Sequence, residues 1–302
     1  MKCSCLRVFV LVMLGAGAAL ADSSSPNLAA YYDRQMAIVA GKVYAWKNGN
    51  PPAHVSIVAV QVGVGQDKYY VLTPAGELIA FDDGAGRRTL LMTGIARFAA
   101  GHSGLLAITR DGALWWLTGK TKHAIGRDAV AAAVGDGANY YITSSGQLFV
   151  KGLAHRGQYG DGRLKPTDRF VQTASRAAYI TAHTGHAILL LTNGDVLGTG
   201  GNIFGPVGKH GLGDKAVRWS KIASSAKAIA TGSSHSLAIL RDDTLVAWGR
   251  GYDIEPVVIL RDVVAVAAGS STTIALKRDD TLFQWDQGRL PLQVPLPLPL
   301  PK

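Results

Sequence analysis

Residues 229–248 read Ile229-Ala-Thr-Gly-Ser-Ser-His-Ser-Leu-Ala-Ile-Leu-Arg-Asp-Asp-Thr-Leu-Val-Ala-Trp248, and a similar copy of this stretch follows later in the chain. The second copy is Val266-Ala-Ala-Gly-Ser-Ser-Thr-Thr-Ile-Ala-Leu-Lys-Arg-Asp-Asp-Thr-Leu-Phe-Gln-Trp285, identical at eleven of the twenty positions. Self-similarity at a period of this size is typical of repeat architectures, in which each repeat is one supersecondary unit. The same register is therefore expected elsewhere in the chain.

The register recurs along most of the sequence. Each unit has an anchor residue after its first apolar run, at Gly65, Gly101, Gly135, His183, Gly232 and Gly269. A turn residue follows each anchor at the same offset, at Gly76, Gly112, Gly146, Gly194, Asp243 and Asp280. The anchors are 34 to 49 residues apart, which is the size of one four-stranded propeller blade with variable loops.

Short apolar runs bounded by glycine or aspartate lie before the anchor, between anchor and turn, and after the turn, as expected of strands. A partial seventh unit spans Met36 to Trp46, but Asn27 to Tyr32 matches an opening strand poorly. The sequence thus predicts an all-β, seven-bladed β-propeller over residues 36–295. We expect Leu290 to Pro295 to supply the missing strand, so that the N- and C-terminal segments pair and close the ring.

The N-terminus has the pattern of an export signal over residues 1–21. Lys2 and Arg7 precede an apolar run that ends at Ala19-Leu-Ala21, a site suited to signal peptidase. The run is too short to span a bilayer as a helix, so we expect no transmembrane segment after its removal. The prediction is an exported protein, periplasmic or extracellular, with a lead-in at 22–35 and a proline-rich tail at 296–302.

The repeat resembles the regulator of chromosome condensation repeat family, which includes the α-tubulin-suppressor-like proteins. The matching residues are Ala230-Thr-Gly-Ser-Ser-His235-Ser-Leu-Ala-Ile, Trp248-Gly249 and Gly157-Gln-Tyr-Gly-Asp-Gly162. The family histidine survives only at His186 and His235. The resemblance implies a β-propeller, here in an exported, bacterial-type member. Family members that act as exchange factors on a nuclear GTPase are nuclear, so the export signal argues against that activity.

The sequence predicts no catalytic residues, no metal site and no cofactor. His183 and His186 lie three residues apart, but both occupy repeat positions, which favours structural contacts between blades over metal binding. The aspartate pairs at 242–243 and 279–280 occupy the repeated turn, which favours turn formation over calcium binding. No Gly-x-Ser-x-Gly elbow is present.

Two long loops in consecutive units are the predicted partner-binding region, because they combine cations with aromatic residues. The candidate residues are His155, Arg156, Tyr159, Arg163, Lys165 and Arg169 in the first, and Lys209, His210, Lys215, Arg218, Trp219 and Lys221 in the second. The chain carries a formal charge of +10. We expect the partner to be another protein or an anionic surface, and we do not expect it to be nucleic acid.

These observations predict a secreted, monomeric, non-catalytic protein-interaction module or modulator that uses loops on a propeller face. A hydrolase or lyase with a site in the central channel is one alternative, and it requires clustered Asp, Glu and His side chains there. Binding of envelope polysaccharide is another, and it requires coplanar exposed aromatic rings. Fold alone does not decide between them.

Overall fold

A computed structural model describes residues 27–82, 86–119, 121–208 and 213–297. These residues form 28 β-strands arranged as seven antiparallel four-stranded sheets, each built from consecutive strands. The predicted seven-bladed β-propeller is therefore confirmed. No helix among the described residues is long and apolar enough to span a membrane. The predicted signal peptide lies outside the described residues, as does the tail from residue 298 onward.

Each blade is a meander in which the first strand is innermost and the fourth is outermost. Blade 1 contains β1 (Leu28–Tyr31), β2 (Arg34–Val39), β3 (Lys42–Lys47) and β4 (Ala53–Val55). Blade 2 contains β5 (Gln61–Val64), β6 (Tyr69–Leu72), β7 (Leu78–Phe81) and β8 (Thr89–Met92). Blade 3 contains β9 (Ile95–Ala100), β10 (Leu105–Thr109), β11 (Leu114–Thr118) and β12 (Thr121–Gly126).

The remaining four blades follow the same plan. Blade 4 contains β13 (Ala129–Val134), β14 (Ala138–Thr143), β15 (Leu148–Gly152) and β16 (Thr167–Ala174). Blade 5 contains β17 (Ala177–Ala182), β18 (His186–Leu191), β19 (Val196–Gly201) and β20 (Lys215–Ala223). Blade 6 contains β21 (Ala226–Thr231), β22 (His235–Leu240), β23 (Leu245–Gly249) and β24 (Val257–Leu260). Blade 7 contains β25 (Val263–Ala268), β26 (Thr272–Lys277), β27 (Leu282–Asp286) and β28 (Leu292–Gln293).

The hydrophobic core lies between the blades. Each of seven clusters of buried side chains combines residues from two adjacent blades, including blades 7 and 1. In the last of these, Trp46 of blade 1 packs with Leu282 of blade 7. Burial of apolar area between blades is therefore the main force that holds the ring together.

The predicted closure of the ring, in which the C-terminal segment supplies the missing strand of the N-terminal blade, is wrong. β1 occupies the innermost position of blade 1 and pairs with β2, from Leu28 opposite Ala37 to Tyr31 opposite Arg34. β28 pairs with β27 at the outer edge of blade 7, where proline is tolerated because no further ladder bond is needed. The two blades meet instead by packing, and Trp46 Nε1 donates to Gln284 Oε1 at 2.8 Å. The propeller also begins at Leu28, earlier than the predicted residue 36.

The repeated turn positions have the expected conformation. Asp243 and Asp280 have φ values of +66° and +64°, where the other blades use glycine. Aspartate tolerates this left-handed region better than most side chains. The prediction that these aspartates form turns is confirmed.

Candidate partner-binding face

The two faces of the propeller differ in their connections. One face, here named the loop face, carries the connections between first and second strands and between third and fourth strands. These two kinds of loop contact each other, as in the hydrogen bond from Leu153 N to Gly137 O at 2.7 Å. The opposite turn face carries the short hairpins between second and third strands. Ala177 N donates to Gly146 O there at 2.9 Å.

The loop of blade 4 over residues 153–166 crosses onto blade 5 and pairs with its outermost strand. Gly162 N donates to Val217 O at 2.8 Å, and Trp219 N donates to Gly160 O at 3.0 Å. Asp161 and Arg218 form an antiparallel β-bridge between these bonds. The two cationic regions therefore lie in adjacent blades, as predicted, and residues 160–162 of the first are in direct contact with residues 217–219 of the second.

Glycine at position 160 is required by this crossing. Its φ is +70°, and a Cβ atom there would lie 2.5 Å from Trp219 Nε1. The Trp219 ring is half-buried against the loop and the core between blades 4 and 5. Trp219 therefore mainly supports the loop and is not a free aromatic platform.

Tyr159 is a structural residue, contrary to its predicted place among the partner-binding residues. Its side chain is fully buried. The hydroxyl donates to Gly152 O at 2.7 Å and accepts from Thr167 N at 3.1 Å. Burial raises the pKa of the Tyr159 phenol, so it stays neutral and can hold both ends of the loop. No partner can reach it without opening the loop.

The structure separates the remaining predicted residues into three groups. His155, Arg156, Arg163 and Lys165 are exposed on the loop of blade 4. Arg169 lies on β16, and Lys215, Arg218 and Lys221 lie on β20. These four residues are exposed on strands, whereas the sequence predicted them in loops. Lys209 and His210 lie outside the described residues.

Internal ion pairs reduce the number of cations available to a partner. Lys221 Nζ lies 2.7 Å from Asp195 Oδ1, and Asp195 belongs to a hairpin of the turn face. This contact lowers the pKa of Asp195 and directs Lys221 away from the loop face. Arg163 Nε pairs with Asp161 Oδ2 at 2.8 Å. Lys165 and Lys215 have no ion pair with a described residue.

Sequence reasoning missed an apolar pair on the same face. Ile203 and Phe204 lie in the loop of blade 5 and are 67% and 46% exposed. The Arg250 guanidinium lies 4.8 Å from the centre of the Phe204 ring. The available signal was an Ile-Phe pair followed by Gly205-Pro206, a hydrophobic loop tip where polar residues are usual.

The axial channel contains a cavity of about 160 Å³ lined by residues of the innermost strands, among which alanine is the most frequent. Among its described lining residues, His183 is the only imidazole and there is no Asp or Glu. Tyr31 crosses the loop-face end of the channel, stacks on the His183 ring at 4.8 Å and donates to Asp136 Oδ1 at 2.6 Å. The described residues also contain no group of three metal-ligating side chains.

The family histidines connect neighbouring blades, as predicted. His186 Nε2 lies 3.2 Å from Ser236 Oγ in blade 6, and His235 Nε2 lies 2.9 Å from Thr273 Oγ1 in blade 7. Burial lowers the pKa of each imidazole to about 3. Burial likewise lowers the pKa of His183 to about 4. All three are therefore neutral near pH 7 and act as hydrogen-bonding groups.

Comparison with known proteins supports the fold. Residues 226–253, within blade 6, match the Regulator of chromosome condensation (RCC1) repeat, which confirms the resemblance seen in the sequence. No curated protein sequence matches the chain.

Solved structures of propellers match the chain over most of its length. Prp20p from Saccharomyces cerevisiae has a TM-score of 0.73 at 17% identity, covering 84% of this chain and 83% of that one. Yeast RCC1 (Prp20) bound to Kap60 has a TM-score of 0.76 at 14% identity, covering 98% and 91%. Human WBSCR16 has a TM-score of 0.71 at 13% identity, covering 82% and 84%. At these identities the likeness establishes the shared fold.

Proposed function

From a seven-bladed propeller that carries a regulator of chromosome condensation repeat, we propose that this chain is a non-catalytic protein-binding module whose loop face on blades 4 and 5 contacts an acidic partner. The observation that carries the proposal is the pairing of the blade 4 loop with β20 of blade 5. It fixes exposed cations of two blades on one rigid surface. Preorganisation of this kind reduces the entropy lost on binding.

Charge and precedent agree with this proposal. Arg156, Lys165, Lys215 and Arg218 are exposed on the joined surface, so it complements carboxylates on a partner. One of the similar propellers, yeast Prp20, binds other proteins: it has binding properties to Gsp1p and histones, and it has been solved bound to Kap60. The present chain shares this architecture at 14–17% identity, so Gsp1p, histones and Kap60 are not carried over to it as partners.

A hydrolase or lyase in the channel is the weaker alternative. Such an enzyme needs a general acid or base beside its substrate. At the described channel lining, His183 is buried and its Nδ1 already accepts from Thr184 N at 2.9 Å. The Tyr31 hydroxyl is bonded to Asp136 at 2.6 Å. Tyr31 also lies across the loop-face end of the channel. These features favour a binding role over catalysis.

Export is part of the proposal. Residues 1–21 have the composition of a signal peptide, and the protein would act as a monomer in the periplasm or outside the cell. Mass spectrometry of the protein recovered from its producing cell tests this directly. We expect a mature chain that begins at Asp22, and an intact N-terminus would contradict export by cleavage.

Charge reversal tests the binding surface. The partner is recovered by affinity capture from the cell envelope or medium, and its affinity is measured for the wild type and for the double variant Lys165→Glu, Lys215→Glu. We expect binding about tenfold weaker or more in the variant, and weaker with added salt in the wild type. The matched control is Lys42→Glu, Arg127→Glu, which reverses two charges on the turn face. Salt-insensitive binding, or equal loss in both variants, would contradict the proposed surface.

A further inference from the structure

The loop of blade 5 presents two large apolar side chains to solvent. Ile203 is 67% exposed and Phe204 is 46% exposed at its tip. Single exposed apolar residues are common, but an adjacent aliphatic and aromatic pair on a loop tip resembles the anchors that dominate protein interfaces. The pair lies on the loop face, beside the cationic surface described above.

The loop is held so that its tip does not fold inward. Asn202 Nδ2 donates to Gly208 O, and Asn202 Oδ1 accepts from Val207 N, both at 3.2 Å. Pro206 O accepts from Trp248 Nε1 and Ser236 Oγ of blade 6, both at 2.8 Å. These bonds fix the segment on both sides of Ile203 and Phe204. A rigid aromatic side chain loses little conformational entropy when it enters a partner's pocket.

A cation accompanies the apolar pair. The Arg250 guanidinium from blade 6 lies over the Phe204 ring at 4.8 Å from its centre. This is a cation–π arrangement, and Arg250 makes no ion pair with a described residue. The tip therefore offers an apolar surface and an unneutralised positive charge side by side.

We propose that Ile203, Phe204 and Arg250 form the anchor of the interface, and that the partner is a protein with an apolar pocket edged by carboxylates. The inference rests on the proposed function and names the contact that would supply most of its affinity. A polyanionic glycan or nucleic acid backbone would leave the two apolar side chains in water. Insertion into lipid hydrocarbon would carry Arg250 along with Phe204, at the desolvation cost of an unpaired charge.

Selection from a phage-displayed library of random linear peptides provides the probe. The full protein is the target, and the recovered peptides are synthesised for affinity measurements. We expect peptides in which Leu, Phe or Trp lies next to Asp or Glu. Phe204→Ala should weaken their binding about tenfold or more, and Arg250→Ala should weaken it less while reducing its salt dependence. The control Leu90→Ala removes a side chain of similar exposure (54%) on blade 2 and should leave affinity unchanged.

The outcomes separate the anchor from the wider proposal. If acidic peptides lose affinity in the variant Lys165→Glu, Lys215→Glu but bind Phe204→Ala like the wild type, the anchor is wrong and the proposed function stands. If neither variant changes binding, or no acidic peptide is enriched, both are wrong. Binding of the wild type, but not Phe204→Ala, to vesicles of phosphatidylcholine and phosphatidylserine would replace the protein partner with a lipid surface and overturn the inference.

Discussion

The Tyr31 hydroxyl donates a 2.6 Å hydrogen bond to Asp136 Oδ1 and thereby links blade 1 to blade 4 across the axial channel. These blades are not neighbours in the ring, so the bond connects two sides of the ring across its channel. Thr184 Oγ1 of blade 5 donates to the other oxygen of the same carboxylate at 3.0 Å. The Asp136 carboxylate is therefore shared by three blades at the loop-face end of the channel.

Replacement of Tyr31 by phenylalanine removes this hydrogen bond and should lower the stability of the ring. A hydrogen bond to a charged acceptor contributes about 1.5–3 kcal/mol, so we expect the free energy of unfolding to fall by about 2 kcal/mol at pH 7. Urea denaturation followed by tryptophan fluorescence measures the change. Tyr32→Phe is the matched control, because Tyr32 is exposed and its hydroxyl makes no hydrogen bond with a described residue. Equal effects of both variants would contradict a specific role for the Tyr31–Asp136 bond.

Tyr31 should also make the free energy of unfolding depend on pH in alkaline solution. Burial, followed by the hydrogen bond to Asp136, raises the pKa of Tyr31 far above its ordinary value of 10. The unfolded chain therefore loses this proton above about pH 10 while the folded chain keeps it. The stability that neutral Tyr31 contributes is therefore fully present below about pH 10. Above it, the free energy of unfolding falls by about 1.4 kcal/mol per pH unit. Tyr31→Phe should reduce the slope of unfolding free energy against pH in this range by that amount, and an unchanged slope would contradict the raised pKa.

The buried histidines should make the free energy of unfolding fall in acid solution. The lowered pKa of His235, about 3, means that the unfolded chain binds a proton below about pH 6.5 while the folded chain does not. The contribution of neutral His235 is thus present above pH 6.5 and lost as the pH falls toward 3. We expect a loss of about 2 kcal/mol from this group between pH 6.5 and 5.

The variant His235→Gln isolates that contribution. It should be less stable than the wild type at pH 7.5, because Thr273 Oγ1 and Gln287 Nε2 both contact the imidazole. Its further loss on going to pH 5 should be smaller by about 2 kcal/mol. His123→Gln changes an exposed histidine on β12 and should behave like the wild type at both pH values. Urea denaturation at pH 7.5 and 5 gives all four free energies, and a parallel loss in His235→Gln would refute the titration of His235.

The inner part of each blade was predictable because its signals are local. The anchor residue, the turn at constant offset and the apolar runs between them fix the second and third strands, as at Gly232 and Asp243. The outermost strands carry no such signal, because they are largely exposed. β12, with Thr121 to Ala124 exposed, was therefore not predicted, and the charged β20 was predicted to be part of a loop.

Contacts between distant segments could not be predicted from spacing. Tyr31 and Asp136 are 105 residues apart, and their contact follows only from closure of the ring. Burial of Tyr159 depends on its bonds to Gly152 and Thr167, which the sequence shows only as a tyrosine among charged residues. The exposure of Phe204 likewise follows from the bonds that pin its loop to blade 6. Sequence reasoning thus took the buried Tyr159 for an exposed aromatic residue and missed the exposed Phe204.

An inter-blade ion cluster on the turn face distinguishes two equivalent aspartates. The Asp243 carboxylate contacts Lys227 and Arg278, and these contacts, with Lys227 first, lower its pKa. Asp280 occupies the same turn position in blade 7, has a similar φ of +64° and makes no ion pair with a described residue. Asp243→Asn should therefore lower stability by about 1 kcal/mol or less, because Arg278 is well exposed and solvent screens the contact. Asp280→Asn, measured by the same denaturation at low and high salt, should be neutral, and a difference that persists in high salt would contradict an electrostatic origin.

Blades 1 and 7 close the ring by packing and not by pairing of the two chain ends, so the C-terminal segment should contribute little to closure. Asn48 of blade 1 donates to Thr272 Oγ1 of blade 7 at 2.9 Å and accepts from Gln35 Nε2 at 2.7 Å, while Trp46 Nε1 donates to Gln284. Deletion of residues 290–302 removes β28 and the partly buried Val294 and Leu296, but it leaves these bonds and most of the cluster between blades 7 and 1.

We therefore expect the truncated protein to keep its far-UV circular dichroism spectrum and to melt only a few degrees lower. Asn48→Ala in the full chain leaves Gln35, which is fully buried, without its amide partner and should lower stability by about 1–3 kcal/mol. Asn50→Ala, at an exposed position in the same loop, is the control. Unfolding of the truncated protein at ambient temperature, with Asn48→Ala neutral, would instead mean that the C-terminal segment is what closes the ring.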